Sequence, residues 1–223
     1  KLVQIAPDII AGSDWYIDIK NPALLTFLSV KYAIVYESSE LPAGMNWELM
    51  VDNYQDSLSI YRNNDYRPLG STYEKALTWS DYEHQPSLEL LNNYVICEET
   101  EYNEIKSLCG NSNSILENIR YEGNHLFGTV ESGDNSFIVL TIPYDSGWKV
   151  SINGEKSKVY NVNGGFLGFS VHQGFNAIEM YYSIPGLKEG VYLSIFGLIL
   201  LLYLILRELR LIKNEKKEKK INI

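Results

Sequence analysis

Between residues 113 and 183 apolar and polar positions alternate in short runs separated by turn-forming residues. They predict strands at HLFGTVE (125–131), SFIVLTIPY (136–144), WKVSI (148–152), KSKVYNV (156–162), GFLGFSV (165–171) and NAIEMYY (176–182). Strands this short and this closely spaced are the pattern of an all-β sandwich, here jelly-roll-like. Asn153–Gly154 separates the third run from the fourth. It is the strongest short hairpin signal available, because a type I′ turn needs positive φ at both central residues. Within WKVSI the period of two puts Trp148, Val150 and Ile152 on the core face and Lys149 and Ser151 on the other.

The first hundred residues are less regular. A short helix is predicted at 22–28, strands at 30–37, 47–51 and 58–62, and a helix around 87–93, which together make a mixed α/β segment. ETEYNEIKSLCGNSNS (99–114) reads as a connecting segment with a little helix, and it places a domain boundary near residue 112. No internal repeat is present.

Gly190 to Leu206, GVYLSIFGLILLLYLIL, runs for seventeen residues without a charge. A soluble core helix normally keeps a polar stripe, and this one is apolar all round apart from Ser194 and two tyrosines, so it reads as membrane-spanning. At about 1.5 Å per residue the run covers roughly 26 Å, and Lys188 and Arg207 would snorkel outward at its ends. The segments expected are therefore 1–112 mixed α/β, 113–185 sandwich, 188–208 transmembrane helix and 209–223 basic tail.

Charge gives this arrangement a direction. The chain carries a net charge of −9, but unevenly. Residues 1–187 hold 11 basic and 24 acidic side chains, a net of −13, whereas 188–223 hold 8 and 4, a net of +4. RELRLIKNEKKEKK (207–220) has seven basic residues against three acidic ones, which predicts a cytoplasmic tail and an extracytoplasmic bulk. The acidic bulk excludes a phosphate-backbone surface, so no nucleic-acid partner is expected, and the Lys-rich tail is assigned to lipid headgroups. Residue 1 is Lys, and KLVQIAPDII lacks the regions of a signal peptide, so an upstream segment is expected to deliver the domain across the membrane.

Three segments resemble a known family in order. They are LLTFLSVKYAIV (24–35), IYRNNDYRPLGSTYEKALTWSDYE (60–83) with its Pro–Leu–Gly and Tyr, and the block FIVLTIPYDSGWKVSINGEKSKVYNVNGGFLGFSVHQGFNAIEMYYSIPGLKEGVYLS (137–194). The last runs as strand, Pro–Tyr–Asp–x–Gly–Trp, Asn–Gly hairpin, Gly–Phe strand, final strand, Pro–Gly and membrane helix. Spanning most of 22–206, the pattern is similar to the C-terminal part of the bacterial YfhO-family membrane proteins. The resemblance implies the C-terminal portion of a polytopic protein of glycosyltransferase-C-like architecture, linked to adding sugars to cell-wall polymers such as teichoic acids from a lipid-phosphate sugar donor. It places the catalytic carboxylate and the membrane core upstream, so the implied partners are the lipid bilayer, N-terminal transmembrane helices of the same protein, and cell-wall polymer or lipid-linked sugar. This chain would then serve as a non-catalytic extracytoplasmic domain and anchor. The alternative, from another class, is a stand-alone membrane-anchored carbohydrate-binding or adhesion module.

The residues agree with a chain that holds no catalytic residue, no cofactor and no metal. His84, His125 and His172 are far apart in sequence, and neither a nucleophile elbow nor a close pair of catalytic carboxylates is present. Cys97 and Cys109 permit a disulfide without requiring one. The glycines of Gly164–Gly165–Phe166–Leu167–Gly168 are followed by strand residues, which suits a bulge or close strand packing better than a phosphate loop. Asp14, Asp18 and the acids Glu98, Glu99 and Glu101 read as solvated surface. One group remains as sugar-contact candidates: Tyr144 and Trp148 can offer ring faces to pyranose C–H groups, and Asp145 can accept hydroxyl hydrogen bonds. The alternation of WKVSI pulls the other way for Trp148, toward the core.

Overall fold

The computed structural model describes residues 21–36, 40–54 and 58–221; Asp14 and Asp18 lie outside them. The chain divides into two compact units, one ending at Tyr182 and the other beginning at Ser183.

The first unit opens with helix α1 (Pro22–Phe27), started by the Asn21 side chain, which accepts from the Leu24 amide at 3.3 Å, and by Pro22 at the first helical position. Strands β1 (Tyr32–Tyr36), β2 (Trp47–Tyr54) and β3 (Leu58–Asn63) form an antiparallel sheet in the order β1-β3-β2. After β4 (Gly70–Thr72) and β5 (Lys75–Thr78) comes α2 (Trp79–His84), capped by Thr78 Oγ1, which accepts from Asp81 N at 3.0 Å, and by Glu99, whose carboxylate accepts from Ser80 N at 3.1 Å. Helix α3 (Leu90–Asn93), strand β6 (Tyr94–Cys97) and helix α4 (Tyr102–Leu108) follow, with β6 parallel to β5. The segment read from sequence as a connector thus contains α4, whose Ile105 is fully buried.

Eight strands complete the unit: β7 (Glu117–Glu122), β8 (His125–Ser132), β9 (Ser136–Pro143), β10 (Trp148–Ile152), β11 (Glu155–Ser157), β12 (Tyr160–Val162), β13 (Phe166–Val171) and β14 (Gly174–Tyr182). They form two antiparallel sheets, β11-β10-β14-β8-β7 and β12-β13-β9-β4. The two inner faces share one core, with Leu126, Val150, Ile178 and Met180 from the first sheet against Ile138, Leu140, Leu167 and Phe169 from the second. This is the sheet-on-sheet packing expected of a sandwich. The far face of the second sheet, carrying Phe137, Val139, Tyr160 and Val162, is covered in turn by Phe27, Tyr82, Leu91, Ile96 and Ile105. Burial on both faces explains why SFIVL is a continuous apolar run and not an alternating one. Because Gly70–Thr72 pairs with β9, a strand from the first hundred residues lies in the same sheet as β12 and β13.

Asn153 (φ 52°) and Gly154 (φ 85°) make the tight turn that the sequence predicts. Asn153 also accepts from Ala177 N at 2.8 Å through Oδ1, tying the turn to β14. Two elements differ from expectation. The run 156–162 is two strands in different sheets, because β11 is a solvated edge beside β10 whereas Tyr160 and Val162 cross over to fill the other core. The helix of the second unit, α5 (Leu187–Ile221), does not stop with the apolar run but continues to Ile221, into the tail expected at 209–223. RELRLIKNEKKEKK holds no Gly or Pro and is rich in Leu, Arg, Lys and Glu, all good helix formers. Within α5, Leu187–Arg210 is long and apolar enough to cross a membrane, with a mean hydropathy of 2.2.

Cys97 and Cys109 are free thiols. Burial pushes both up to about 12, so neither is a nucleophile near neutral pH.

Candidate functional site

Pro143 ends β9, and Tyr144, Asp145 and Ser146, in the turn that leads into β10, line an open cleft. Tyr144 is fixed by its amide, which donates to the Gly165 carbonyl at 2.8 Å. Asp145 closes the turn twice: Oδ1 accepts from Gly147 N at 2.7 Å, and its carbonyl accepts from Trp148 N at 3.1 Å. Desolvation first, and then the neighbouring Asp145 carboxylate that accepts its hydrogen bond, hold the Tyr182 phenol above its ordinary value. The carboxylate therefore closes the loop and also lies near the Tyr182 phenol.

The cleft has a volume of about 510 Å³ and brings together Tyr144, Asp145 and Trp148, the three sugar-contact candidates, with Lys149, Lys156 and Tyr181. That volume falls in the range of small-molecule sites. Trp148 is half-buried: it packs on the sandwich core, lies 5.3 Å from the Tyr182 ring at 60°, and still contributes to the cleft wall. Lys149 is steadied by a 2.9 Å bond from Nζ to the Ser146 carbonyl. The cleft is thus amphipathic, with three rings, one carboxylate and two ammonium groups.

Lys149, Lys156 and Tyr181 were not among the candidates. The signal for two of them was present, since Lys149 and Tyr181 occupy the outward positions of WKVSI and NAIEMYY and are direct cross-strand partners. Beyond Tyr181 the outward face continues as a stack. The His125 ring lies 5.5 Å from Tyr181 and 5.9 Å from Phe127, and Arg120 sits 4.9 Å over Phe127. His125 Nδ1 is 3.0 Å from Glu179 Oε1. Among the described residues no three His, Cys, Asp or Glu side chains assemble into a metal-ligand set. The glycines near 165 serve packing and turns: a Cβ on Gly168 would come within 2.6 Å of the Phe137 ring.

A β-sandwich unit followed in the chain by a helix long and apolar enough to cross a bilayer is the pattern of a membrane protein. Residues 91–194 match the family model described as bacterial membrane protein YfhO. The matched region, a little under half of the chain, contains both sandwich sheets except β4, the cleft, and the start of α5, so this part of the chain is similar to that family. A Bacillus subtilis (strain 168) protein described as "Uncharacterized protein YfhO" is 28% identical over 118 residues. That alignment covers 53% of this chain and 14% of the relative, so the chain corresponds to a small part of that protein's length. No solved structure matches the chain.

Proposed function

We propose that the chain is an extracytoplasmic, non-catalytic domain and membrane anchor of a longer YfhO-like protein with a glycosyltransferase-C-like role in glycosylating cell-wall polymers such as teichoic acids. The domain positions sugar or polymer, and the chemistry belongs to the remainder of the protein. The observation that carries this reading is the convergence of Tyr144, Asp145 and Trp148 on one open cleft, where ring faces and a carboxylate stand together as saccharide recognition requires. Asp145 has a structural task in this setting. Its Oδ1 accepts from Gly147 N at 2.7 Å and closes the turn into β10. The 14% coverage of the B. subtilis relative leaves ample length elsewhere in such a protein for a membrane core.

The sugar-binding part is tested with Tyr144→Ala. Tyr144 is 37% exposed and lies just beyond its strand, so the variant keeps the wild-type melting temperature. The expected result is that the tryptophan fluorescence response of the full chain in nanodiscs to cell-wall polymer is lost. An unchanged response in Tyr144→Ala and in Trp148→Phe would remove the cleft from the proposal.

The orientation is tested separately. The seven basic residues of 207–220 predict a tail inside the cell, so a tag placed after Ile223 survives proteolysis of intact cells. Removal of that tag from outside would invert the topology.

A further inference from the structure

A second cavity, of about 350 Å³ and sharing no lining residue with the cleft, lies among Arg67, Thr72, Lys75, Asn92, Tyr94 and Asn113. Its floor is unusually well fixed. Tyr73 is 3% exposed, and its hydroxyl donates to the Leu91 carbonyl at 3.0 Å. The Arg67 guanidinium lies 4.2 Å over the Tyr73 ring and donates through Nη1 to the Asn92 carbonyl. Stacked and tethered, it is held flat with most of its N–H groups still to be satisfied.

The cavity wall is electrostatically incomplete in two respects. Among the described residues neither Arg67 nor Lys75 forms an ion pair, and Lys75 Nζ instead sits 5.7 Å from the Tyr94 ring centroid. Glu74 is the one acid on the wall, which leaves an excess of positive charge. Asn92 spends its amide hydrogens on the Ala23 carbonyl at 2.8 Å, but its Oδ1 is buried without a hydrogen-bond partner. An unpaired buried acceptor is costly, and a donor from outside the protein would satisfy it. A ligand that answers both features carries an anionic group for the two cations and a hydroxyl for Asn92. The volume exceeds that of a bare ion. The remaining wall, Thr72, Ser112, Asn93 and Asn113, is hydrogen-bonding and not apolar.

We propose that this cavity is a binding site for a sugar or polyol bearing a phosphate or carboxylate, with Arg67 and Lys75 holding the anionic group and Asn92 Oδ1 accepting from a hydroxyl. The site is separate from the Tyr144–Trp148 cleft and does not depend on that cleft's assignment.

The test is a titration of the full chain in nanodiscs with glucose 1-phosphate, glucuronate, glucose and inorganic phosphate, followed by the side-chain amide resonance of Asn92 and by calorimetry. Glucose 1-phosphate or glucuronate is expected to saturate at millimolar concentration or below and to shift that resonance, with glucose and inorganic phosphate each weaker by about tenfold. Lys75→Gln, at an exposed position that leaves the melting temperature unchanged, weakens binding, and Glu74→Gln strengthens it. Arg67→Lys keeps the charge but loses the planar fork, and binding falls even if the fold is kept. Tyr144→Ala leaves binding unchanged. Absence of saturable binding, equal binding of glucose or of phosphate alone, indifference to Lys75→Gln, or loss in Tyr144→Ala would each overturn the proposal. The first of these outcomes leaves a water molecule as the partner of Asn92.

Discussion

Asn163→Ala is expected to destabilise the first unit by about 3–5 kcal/mol, among the largest effects of any single side chain outside the aromatic core. Asn163 follows β12, is fully buried, and has φ near 50°. Its backbone amide donates to the Ile96 carbonyl at 2.8 Å, and its side-chain Oδ1 accepts from the Ile96 amide at 3.0 Å. Nδ2 donates to the Tyr94 carbonyl at 3.0 Å. One residue thus satisfies both backbone groups of Ile96 and fastens the sandwich to β6. Alanine keeps the backbone bond but strands the Ile96 amide and the Tyr94 carbonyl, each worth about 1–3 kcal/mol when buried, in a left-handed conformation that alanine disfavours. Asn163→Gly relieves the conformational part alone and should lie between Asn and Ala. Denaturant unfolding of the chain in detergent, followed by near-ultraviolet circular dichroism, measures all three. A loss below about 1 kcal/mol for Ala would mean that water replaces the side chain.

Phe137→Ala is expected to cost about 3–5 kcal/mol, the range for emptying a buried aromatic site. The ring is fully buried, meets Tyr160 edge-on at 5.3 Å, and lies over Gly168 where a Cβ would approach to 2.6 Å. The close fit also makes Gly168→Ala destabilising by about 1–3 kcal/mol through overpacking. The two sites are therefore coupled: shortening the ring with Phe137→Leu should recover part of the loss caused by Gly168→Ala. Additivity of the two substitutions would contradict the packing described.

The sandwich strands that were legible bury one or both faces, which imposes either alternation, as in WKVSI, or a continuous apolar run, as in SFIVL. Asn153–Gly154 was legible for a purely local reason, the positive φ of both residues. Where burial is absent the signal fails. Every residue of β7 is exposed, and it pairs only as an edge beside β8, so ENIRYE carries no readable period. The split of 156–162 was hidden for a related reason: a crossover between sheets leaves no mark when both halves remain extended. The short β4, β5 and β6 are set by tertiary pairing at distances that no local pattern encodes. At the cleft, Tyr144, Asp145 and Trp148 stood out because they are close in sequence, whereas Lys156 and Tyr181 reach the same cavity from across the β10–β11 and β10–β14 pairings. The Arg67 cavity could not be assembled from sequence at all, since its wall comes from three separate stretches between residues 67 and 113.

Sugar transfer from a polyprenyl-phosphate donor needs a membrane cavity for the lipid and a carboxylate free to activate the acceptor hydroxyl. Among the described residues a single helix is long and apolar enough to cross a membrane, one helix forms no such cavity, and Asp145 Oδ1 is engaged by Gly147 N. The decisive measurement is therefore glycosyl transfer by the 223-residue chain reconstituted in lipid with donor and acceptor polymer. The account expects no turnover from this chain and turnover from the full-length protein that contains it. Transfer by the chain alone that disappears in Asp145→Asn would contradict it and place the active site in the cleft.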